Sequence, residues 1–286
     1  MSDLVLTPGS YVVNTSTGAL TGNGMSFNGQ TSDGILIFSF QSITVQAGAA
    51  IVIQGTTPVS FEAAGDFSMA GAIHSDGNGY PGGSAPSPAG GNGNGGGPGG
   101  GQWTGTGGIG AGGGGGYVGR GGQGGTIAGY PPGTGGTSYF NLNQPLQNGS
   151  GGAAFGTSPG AGTNGGNGGG AIRLKAGNQL SISGTVSAGG YGGGTSASGG
   201  GGGSGGSIVV SGAQITVDGS LSATGGPGGQ GAIGGGGGGG GLIAVIVPTQ
   251  SFSLAAFDVS GGAGGSSAPG GRGSPGQKGL LVSLPR

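Results

Sequence analysis

His74 is the only histidine in the chain, and the side chains that share its sequence context could in principle do acid–base chemistry. Four segments superimpose: Phe67-Ser-Met-Ala-Gly-Ala-Ile73-His74, Leu180-Ser-Ile-Ser-Gly-Thr-Val186-Ser187, Ile215-Thr-Val-Asp-Gly-Ser-Leu221-Ser222 and Phe252-Ser-Leu-Ala-Ala-Phe257-Asp258. The superposition puts His74, Ser187, Ser222 and Asp258 at equivalent positions, which has the composition of a Ser-His-Asp set. Stacked strands lie ~4.8 Å apart, so the outer members of a four-layer file would be more than ~14 Å from one another. A triad needs contact at ~3 Å. The expectation is therefore a solvent-facing polar column without catalysis.

The remaining chemistry-bearing residues are sparse. The carboxylates are Asp3, Asp33, Glu62, Asp66, Asp76, Asp218 and Asp258. No two of them align as the pair, about 5–10 Å apart, that glycoside hydrolysis requires. With one histidine and no cysteine, neither a zinc site nor a thiolate nucleophile is expected. Gly-x-Gly-x-x-Gly recurs, but no Gly-Lys-Ser/Thr follows it, so nucleotide binding is unsupported. The expectation is a protein that is not an enzyme and carries no cofactor.

The elements that must position these residues are strands punctuated by glycine, 90 residues of 286. The last three superimposed segments recur every ~35 residues, a period in the range of stacked repeat architectures. Charged residues make up 5% of the chain, against ~25% in an ordinary soluble domain. Six Lys and Arg cannot build the basic stripe that holds a phosphate backbone, so nucleic acid is not an expected partner. No run of 18 or more apolar residues occurs, so membrane insertion by a helix is not expected. The start Met1-Ser-Asp-Leu-Val-Leu-Thr-Pro has no basic and apolar leader pattern, and no conventional signal peptide is read there.

Three regions follow from the composition. Residues 1–76 hold short β-branched and aromatic runs such as Ile35-Leu-Ile-Phe-Ser-Phe40 and Ala50-Ile-Val-Ile53, separated by turn signals such as Gly22-Asn-Gly; they read as the first coils of a stack. Residues 77–170 are a long glycine-rich insertion carrying the aromatic residues Trp103, Tyr117, Tyr130, Tyr139 and Phe140. Residues 171–286 repeat a strand pair followed by a glycine tract such as 234–241, with a truncated last copy.

The predicted fold class is all-β: a short β-solenoid of ~35-residue repeats, with the glycine-rich tracts packed as polyglycine II helices. Such helices have threefold left-handed geometry, ~3.1 Å per residue and no internal hydrogen bonds. Their N–H and C=O groups must find partners on neighbouring helices. A tract of about 16 residues going out and back would make two antiparallel helices of ~25 Å each. Collagen is excluded by irregular spacing and by the unbroken run 234–241, since collagen needs glycine at every third position.

The pattern of glycine run, aromatic residue and glycine run resembles proteins built around polyglycine II sandwiches. Those closest in kind are the receptor-binding tip adhesins of T-even-like phage tail fibres and the glycine-rich antifreeze protein of snow fleas. The Ser-Ala-Gly-Gly and Ser-Ala-Thr-Gly-Gly endings after the strands are also similar to glycine-rich surface proteins of bacteria. The resemblance is one of composition over roughly residues 77–279, and it implies a rigid glycine platform whose loops touch a host receptor.

By that resemblance, the loops of 77–170 are the contact region, with Trp103, Tyr117, Tyr130, Tyr139 and Phe140 as candidate contacts. Aromatic residues of this kind are enriched at binding hot spots. The expected role is a structural or adhesive component of an exterior fibre, self-assembling or displayed at a fibre tip, on an extracellular surface or a virion. The expected partners are copies of itself or a fibre shaft protein, and a cell-surface receptor or glycan. Leu4-Val5-Leu6 and Leu280-Leu281-Val282 are the candidate assembly edges, because a solenoid end exposes unpaired strands. Ice binding and a solenoid polysaccharide-degrading enzyme are the more distant alternatives.

Overall fold

The computed structural model describes residues 1–84, 93–103, 110–126, 131–141, 143–144, 146–156, 162–247, 257–266 and 271–284. Among these residues the regular structure is all β, with no helix and no closed barrel. The N-terminal part supplies β1 (Leu4–Leu6), β2 (Gly9–Asn14), β3 (Ala19–Gly22), β4 (Met25–Asn28), β5 (Gln30–Ser32) and β6 (Ile35–Phe40). β7 (Ile43–Val45), β8 (Ala49–Gln54), β9 (Val59–Ala63), β10 (Phe67–Met69) and β11 (Ala72–His74) follow. A small pair, β12 (Phe155–Gly156) and β13 (Gly162–Thr163), lies within the glycine-rich region. Beyond it come β14 (Ala171–Ala176), β15 (Gln179–Ile182), β16 (Thr185–Ser187), β17 (Ser207–Ser211), β18 (Gln214–Val217) and β19 (Ser220–Ser222). The described strands end with β20 (Leu242–Ile246), β21 (Phe257–Asp258) and β22 (Leu280–Leu284).

Three large sheets collect these strands. Sheet I runs β1-β7-β10-β15-β18, sheet II runs β21-β19-β16-β11-β8-β2-β3-β4, and sheet III runs β22-β20-β17-β14-β9-β6-β5. From β6 to β20, apart from the small β12–β13 pair, the chain visits III, I and II in turn, and each visit pairs parallel with the one before. The superimposed sequence segments sit side by side: Phe67 pairs with Leu180 and Leu180 with Ile215, while Ile73, Val186, Leu221 and Phe257 form a second file. Phe252 lies outside the described residues.

The three sheets enclose one apolar core. Inward positions alternate with outward ones along each strand, as a pleated backbone requires: Leu4 and Leu6 are buried while Val5 is 46% exposed. Phe38 stacks on Phe61 in the next layer of sheet III, ring centroids 5.5 Å apart. The cluster runs without interruption from Leu4 through Leu180 and Ile215 to Val259.

One end of the stack departs from parallel pairing. Asn23-Gly24 and Asp33-Gly34 form two-residue turns with positive φ at both positions, 45° and 75° in the first, 51° and 75° in the second. This is the geometry that joins antiparallel strands into tight hairpins, here β3–β4 and β5–β6. Leu20 is buried beneath them and Phe27 meets Phe40 edge-on at 5.4 Å, so the hairpins close this end of the core.

Glycine-rich segments connect sheet II to sheet III. After β8 the link is only 55–58, but after β11, β16, β19 and β21 it is 75–170, 188–206, 223–241 and 259–279. Segment 233–241 shows how these residues are held. Gly234, Gly237 and Gly240 donate to Gly271, Ser274 and Gln277; Gly236 and Gly239 donate to Gly112 and Gly115; Gly235, Gly238 and Gly241 donate to Gly229, Gly226 and Ala223. Its carbonyls accept from three further segments, through Gly199, Gly202 and Gly205, through Gly119, Gly122 and Gly125, and through Gly262 and Gly265. Successive residues thus turn to different neighbours in rotation, and the segment is surrounded. Segment 198–206 is enclosed the same way.

Glycine is required here by proximity. Among the described residues beyond Gly97, no glycine has a positive φ. A Cβ on Gly237 would lie 2.0 Å from the Gly262 carbonyl oxygen, and one on Gly203 would lie 2.0 Å from that of Asn167. Ala111, Ala153 and Ala154 are buried as well, so a methyl is admitted at particular points. Gly237→Ala and Gly203→Ala are expected to cost about 3 kcal/mol or more, the upper range for overpacking. Gly192→Ala, whose Cβ would meet Pro227 Cγ at 3.3 Å, its carbonyl oxygen at 3.4 Å and Cδ at 3.5 Å, should cost less than ~1 kcal/mol. Calorimetric melting of the three variants checks the difference.

Candidate contact groove and the His74 file

The outer face of sheet III changes character along the stack. Its early strands present Ser60, Glu62, Arg173 and Lys175, and its later strands present Val209, Leu242, Ala244, Ile246 and Val282. The apolar half is covered by Tyr117, Val118, Tyr139, Phe140 and Leu146 of the long insertion, forming a second, smaller core. Tyr117 packs against Tyr139 at 5.1 Å and edge-on against Phe140 at 6.3 Å.

Polar ties fix this cover to the glycine segments. The Tyr139 hydroxyl donates to the Asn148 carbonyl and accepts from Ser150 Oγ. Ser150 Oγ also accepts from the Gly99 N–H at 3.1 Å, and the Ser150 N–H donates to Ser204 Oγ at 2.8 Å. Ser207 Oγ donates to the Gln147 carbonyl at 2.8 Å, and Asn148 Nδ2 donates to the Thr56 carbonyl. Burial pushes the Tyr117 and Tyr139 phenols well above their ordinary range, so both stay neutral donors.

Between this cover and the polar half of sheet III lies an open groove of about 1080 Å³. Tyr80 and Tyr139 contribute aromatic surface; Asn143, Gln144, Gln147 and Asn148 contribute amides; Arg173 and Lys175 stand on the sheet. Glu62 bridges the two cations, accepting from Arg173 Nη2 at 2.6 Å and Lys175 Nζ at 3.3 Å, while Arg173 Nε donates to Ser60 Oγ at 2.8 Å. Burial pushes the Glu62 carboxyl up, but the Ser60 hydroxyl, Arg173 and Lys175 together outweigh it and hold the group below its ordinary value. Convergent polar groups beside aromatic rings in a concavity are the usual makings of a ligand site.

The candidate contacts read from the sequence divide. Tyr139 lines the groove and Phe140 is half-buried beside it. Trp103 is half-buried against Gly93, its backbone N–H donating to Asn94 Oδ1 at 2.7 Å. Tyr117 is fully buried, its ring filling the seam over sheet III against Tyr139 and Phe140. Tyr130 lies outside the described residues. Tyr80 and Tyr191, 38% and 54% exposed, were not among the candidate contacts, because a lone tyrosine in a glycine run has no spacing signal. Arg173 and Lys175 were legible only as the outward positions of an alternating strand. Among the described strands, Leu4–Leu6 end sheet I and Leu280–Leu284 end sheet III.

The His74 file is aligned as the sequence spacing requires, His74 beside Ser187, Ser187 beside Ser222 and Ser222 beside Asp258. Asp76 joins it from outside the file. Ser187 Oγ donates to Asp76 Oδ2 at 2.6 Å and lies 2.8 Å from His74 Nδ1, while the Gly189 N–H donates to Asp76 Oδ1. A serine hydroxyl has one proton, and an ionised carboxylate can only accept. With that proton on Asp76, His74 Nδ1 is the donor to Ser187. The cluster ties two layers together where the chain leaves sheet II. No group of three or more His, Cys, Asp or Glu able to hold a metal occurs among the described residues.

Compared with known protein families, with characterised proteins and with solved structures, the chain matches none.

Because Glu62 has a lowered pKa in the folded state, its contribution to stability is present above the unfolded carboxylate value and lost as pH falls through the lower folded one. Glu62→Gln is expected to cost about 1 kcal/mol at pH 7, the lower end for charge-assisted bonds that are partly solvated. The gap between variant and parent should close as the pH is lowered below the carboxylate range. Thermal melts over a pH series check both the loss and its disappearance.

Proposed function

We propose that this chain is a non-enzymatic adhesive component of an exterior fibre, on a cell surface or a virion, in which a rigid glycine platform holds a contact groove. In this reading the three sheets are the coils of a short β-solenoid, and the glycine segments are polyglycine II helices. The observation that carries it is the rotation of hydrogen bonds in segment 233–241, where consecutive residues serve three different neighbours. A threefold extended helix with no internal bonds would behave this way. The antiparallel return of 223–229 along 233–241 fits the same geometry.

A platform cross-linked on all sides resists bending, and its loops are held at defined positions. Tyr139 and Gln147 of the cover are tied to the platform through Ser150, Ser204 and Ser207. A receptor or glycan meeting the groove would find Tyr80, Asn143 and Gln144 already placed, which lowers the ordering cost of binding. Partners in the fibre would be a shaft protein or further copies of the chain.

Display at a tip is favoured over continuous stacking into a filament. The β3–β4 hairpin and β5 occupy the ends of sheets II and III, leaving Leu4–Leu6 as the one parallel edge at that end among the described residues. Antiparallel caps of this kind blunt edge-to-edge pairing.

Negative-stain electron microscopy over a range of concentrations should show compact, monodisperse particles; filaments with a regular axial repeat would make self-assembly the function instead. Tyr80→Ala combined with Asn143→Ala is expected to weaken binding to host cells or a glycan panel at least tenfold without changing the melting temperature. Undiminished binding by that variant would remove the groove from the contact surface.

A further inference from the structure

The glycine bundle has an outer face whose side chains are set on a grid. Segments 131–137, 119–126 and 271–279 run side by side. Gly121 and Gly124 donate to Gly136 and Gly133, while Ser274 and Gln277 donate to Gln123 and Arg120. All three rest on a layer beneath: 131–137 and 119–126 bond to 110–117, and 119–126 and 271–279 bond to 233–241. Among the described residues they form the top row of the bundle.

In each segment every third side chain points outward, and in 271–279 Ser274 and Gln277 are exposed beside that set. In 271–279, residues 273, 276 and 279 donate to 259–265 and residues 274 and 277 donate to 119–126. The third set is Arg272, Pro275 and Lys278, all exposed. The matching set in 119–126 is Arg120, Gln123 and Thr126, and in 131–137 it is Pro131, Thr134 and Thr137. At ~3.1 Å per residue, successive members of a set stand ~9 Å apart, and Arg272 is ~19 Å from Lys278. Arg120 lies at the Lys278 end, its carbonyl accepting from the Gln277 N–H at 2.8 Å.

Three of the six cations of the chain therefore share this face. Arg120, Arg272 and Lys278 are exposed, and none is in an ion pair among the described residues. The three segments contain no carboxylate. The neighbouring side face is different: its outward sets are Thr224, Pro227 and Gln230, and Ser260, Ala263 and Ser266, with no charge.

We propose that the top face is a second docking surface, for an acidic polysaccharide laid along the glycine segments. Its cations stand on a backbone that cannot yield, so a linear polyanion meets them at fixed separations. The threonine and glutamine side chains between them bond sugar hydroxyls and carboxylates. The face carries no leucine, phenylalanine or tryptophan to enter a bilayer, which favours a polysaccharide over an anionic membrane. The surface is separate from the groove and stands or falls independently of it.

The test uses the full chain with three probes: alginate as a linear polyuronate, neutral dextran, and vesicles containing phosphatidylserine. The parent should bind alginate in low salt and lose affinity steeply as salt rises past 0.1 M, where the Debye length shortens to ~10 Å. Dextran and vesicles should not bind. The triple variant Arg120→Gln, Arg272→Gln, Lys278→Gln should bind alginate at least tenfold more weakly with an unchanged melting temperature, and Ala263→Gln on the uncharged side face should bind as the parent does. Equal binding by parent and triple variant, or binding to vesicles but not to alginate, would overturn the proposal. If the triple variant melts early, the charge-conserving Arg120→Lys, Arg272→Lys pair decides: retained alginate binding supports the proposal and lost binding sinks it.

Discussion

The distance at which two peptide backbones can pass without a Cβ between them governs this molecule. At Gly237, Gly203, Gly225 and many other positions, the space a methyl would need is already taken by a carbonyl oxygen about 2.0 Å away. Fixing glycine costs roughly 0.5–1 kcal/mol more than fixing alanine. A backbone hydrogen bond contributes about 1 kcal/mol net. The bundle is favourable only where nearly every residue makes its bond, and segment 233–241 meets that condition with donors and acceptors both engaged. Cooperativity follows, because displacing one segment leaves unpaired groups on each of its neighbours.

The sheets and the bundle depend on each other. Each glycine segment begins at the end of a sheet II strand or ends at the start of a sheet III strand, or lies among segments that do. Parallel in-register pairing of the strands therefore sets the relative height of the segments, and apolar burial in the three-sheet core supplies what glycine lacks. The long insertion extends the bundle sideways. Its segments 110–117 and 148–154 bond to 198–206, and 110–117 also bonds to 233–241, so residues distant in sequence become the interior of one array.

Function is assigned to the surfaces this arrangement leaves free. Along a segment, inward positions are mostly glycine, with small residues such as Ala111, Ala153 and Ser204 at particular points, and the outward third carries larger side chains. The bundle is thus a scaffold whose faces vary independently of its interior, as the charged top row and the uncharged side row illustrate. The groove arises where the outer face of sheet III passes from apolar to polar. The insertion covers Val209 and Leu242, and it stops short of Arg173 and Lys175.

The sequence by itself determined the all-β class, the inward and outward residues of alternating strands such as Leu4-Val5-Leu6, and the layer register that sets His74 beside Ser187. Period-two alternation and a repeat of ~35 residues are local signals, and burial of one face obliges the strands to honour them. Two hairpin turns were also written locally, in Asn23-Gly24 and Asp33-Gly34, though nothing local said that they would close the end of the core. Tertiary structure alone decided which glycine faces which carbonyl, because every residue in 234–241 is chemically identical and only its neighbours distinguish it. The same holds for Tyr117 and Tyr80. Both are aromatic residues in glycine runs, yet the first is buried over sheet III and the second lines the groove, since the path of the surrounding segments, absent from any local pattern, sets what each ring meets.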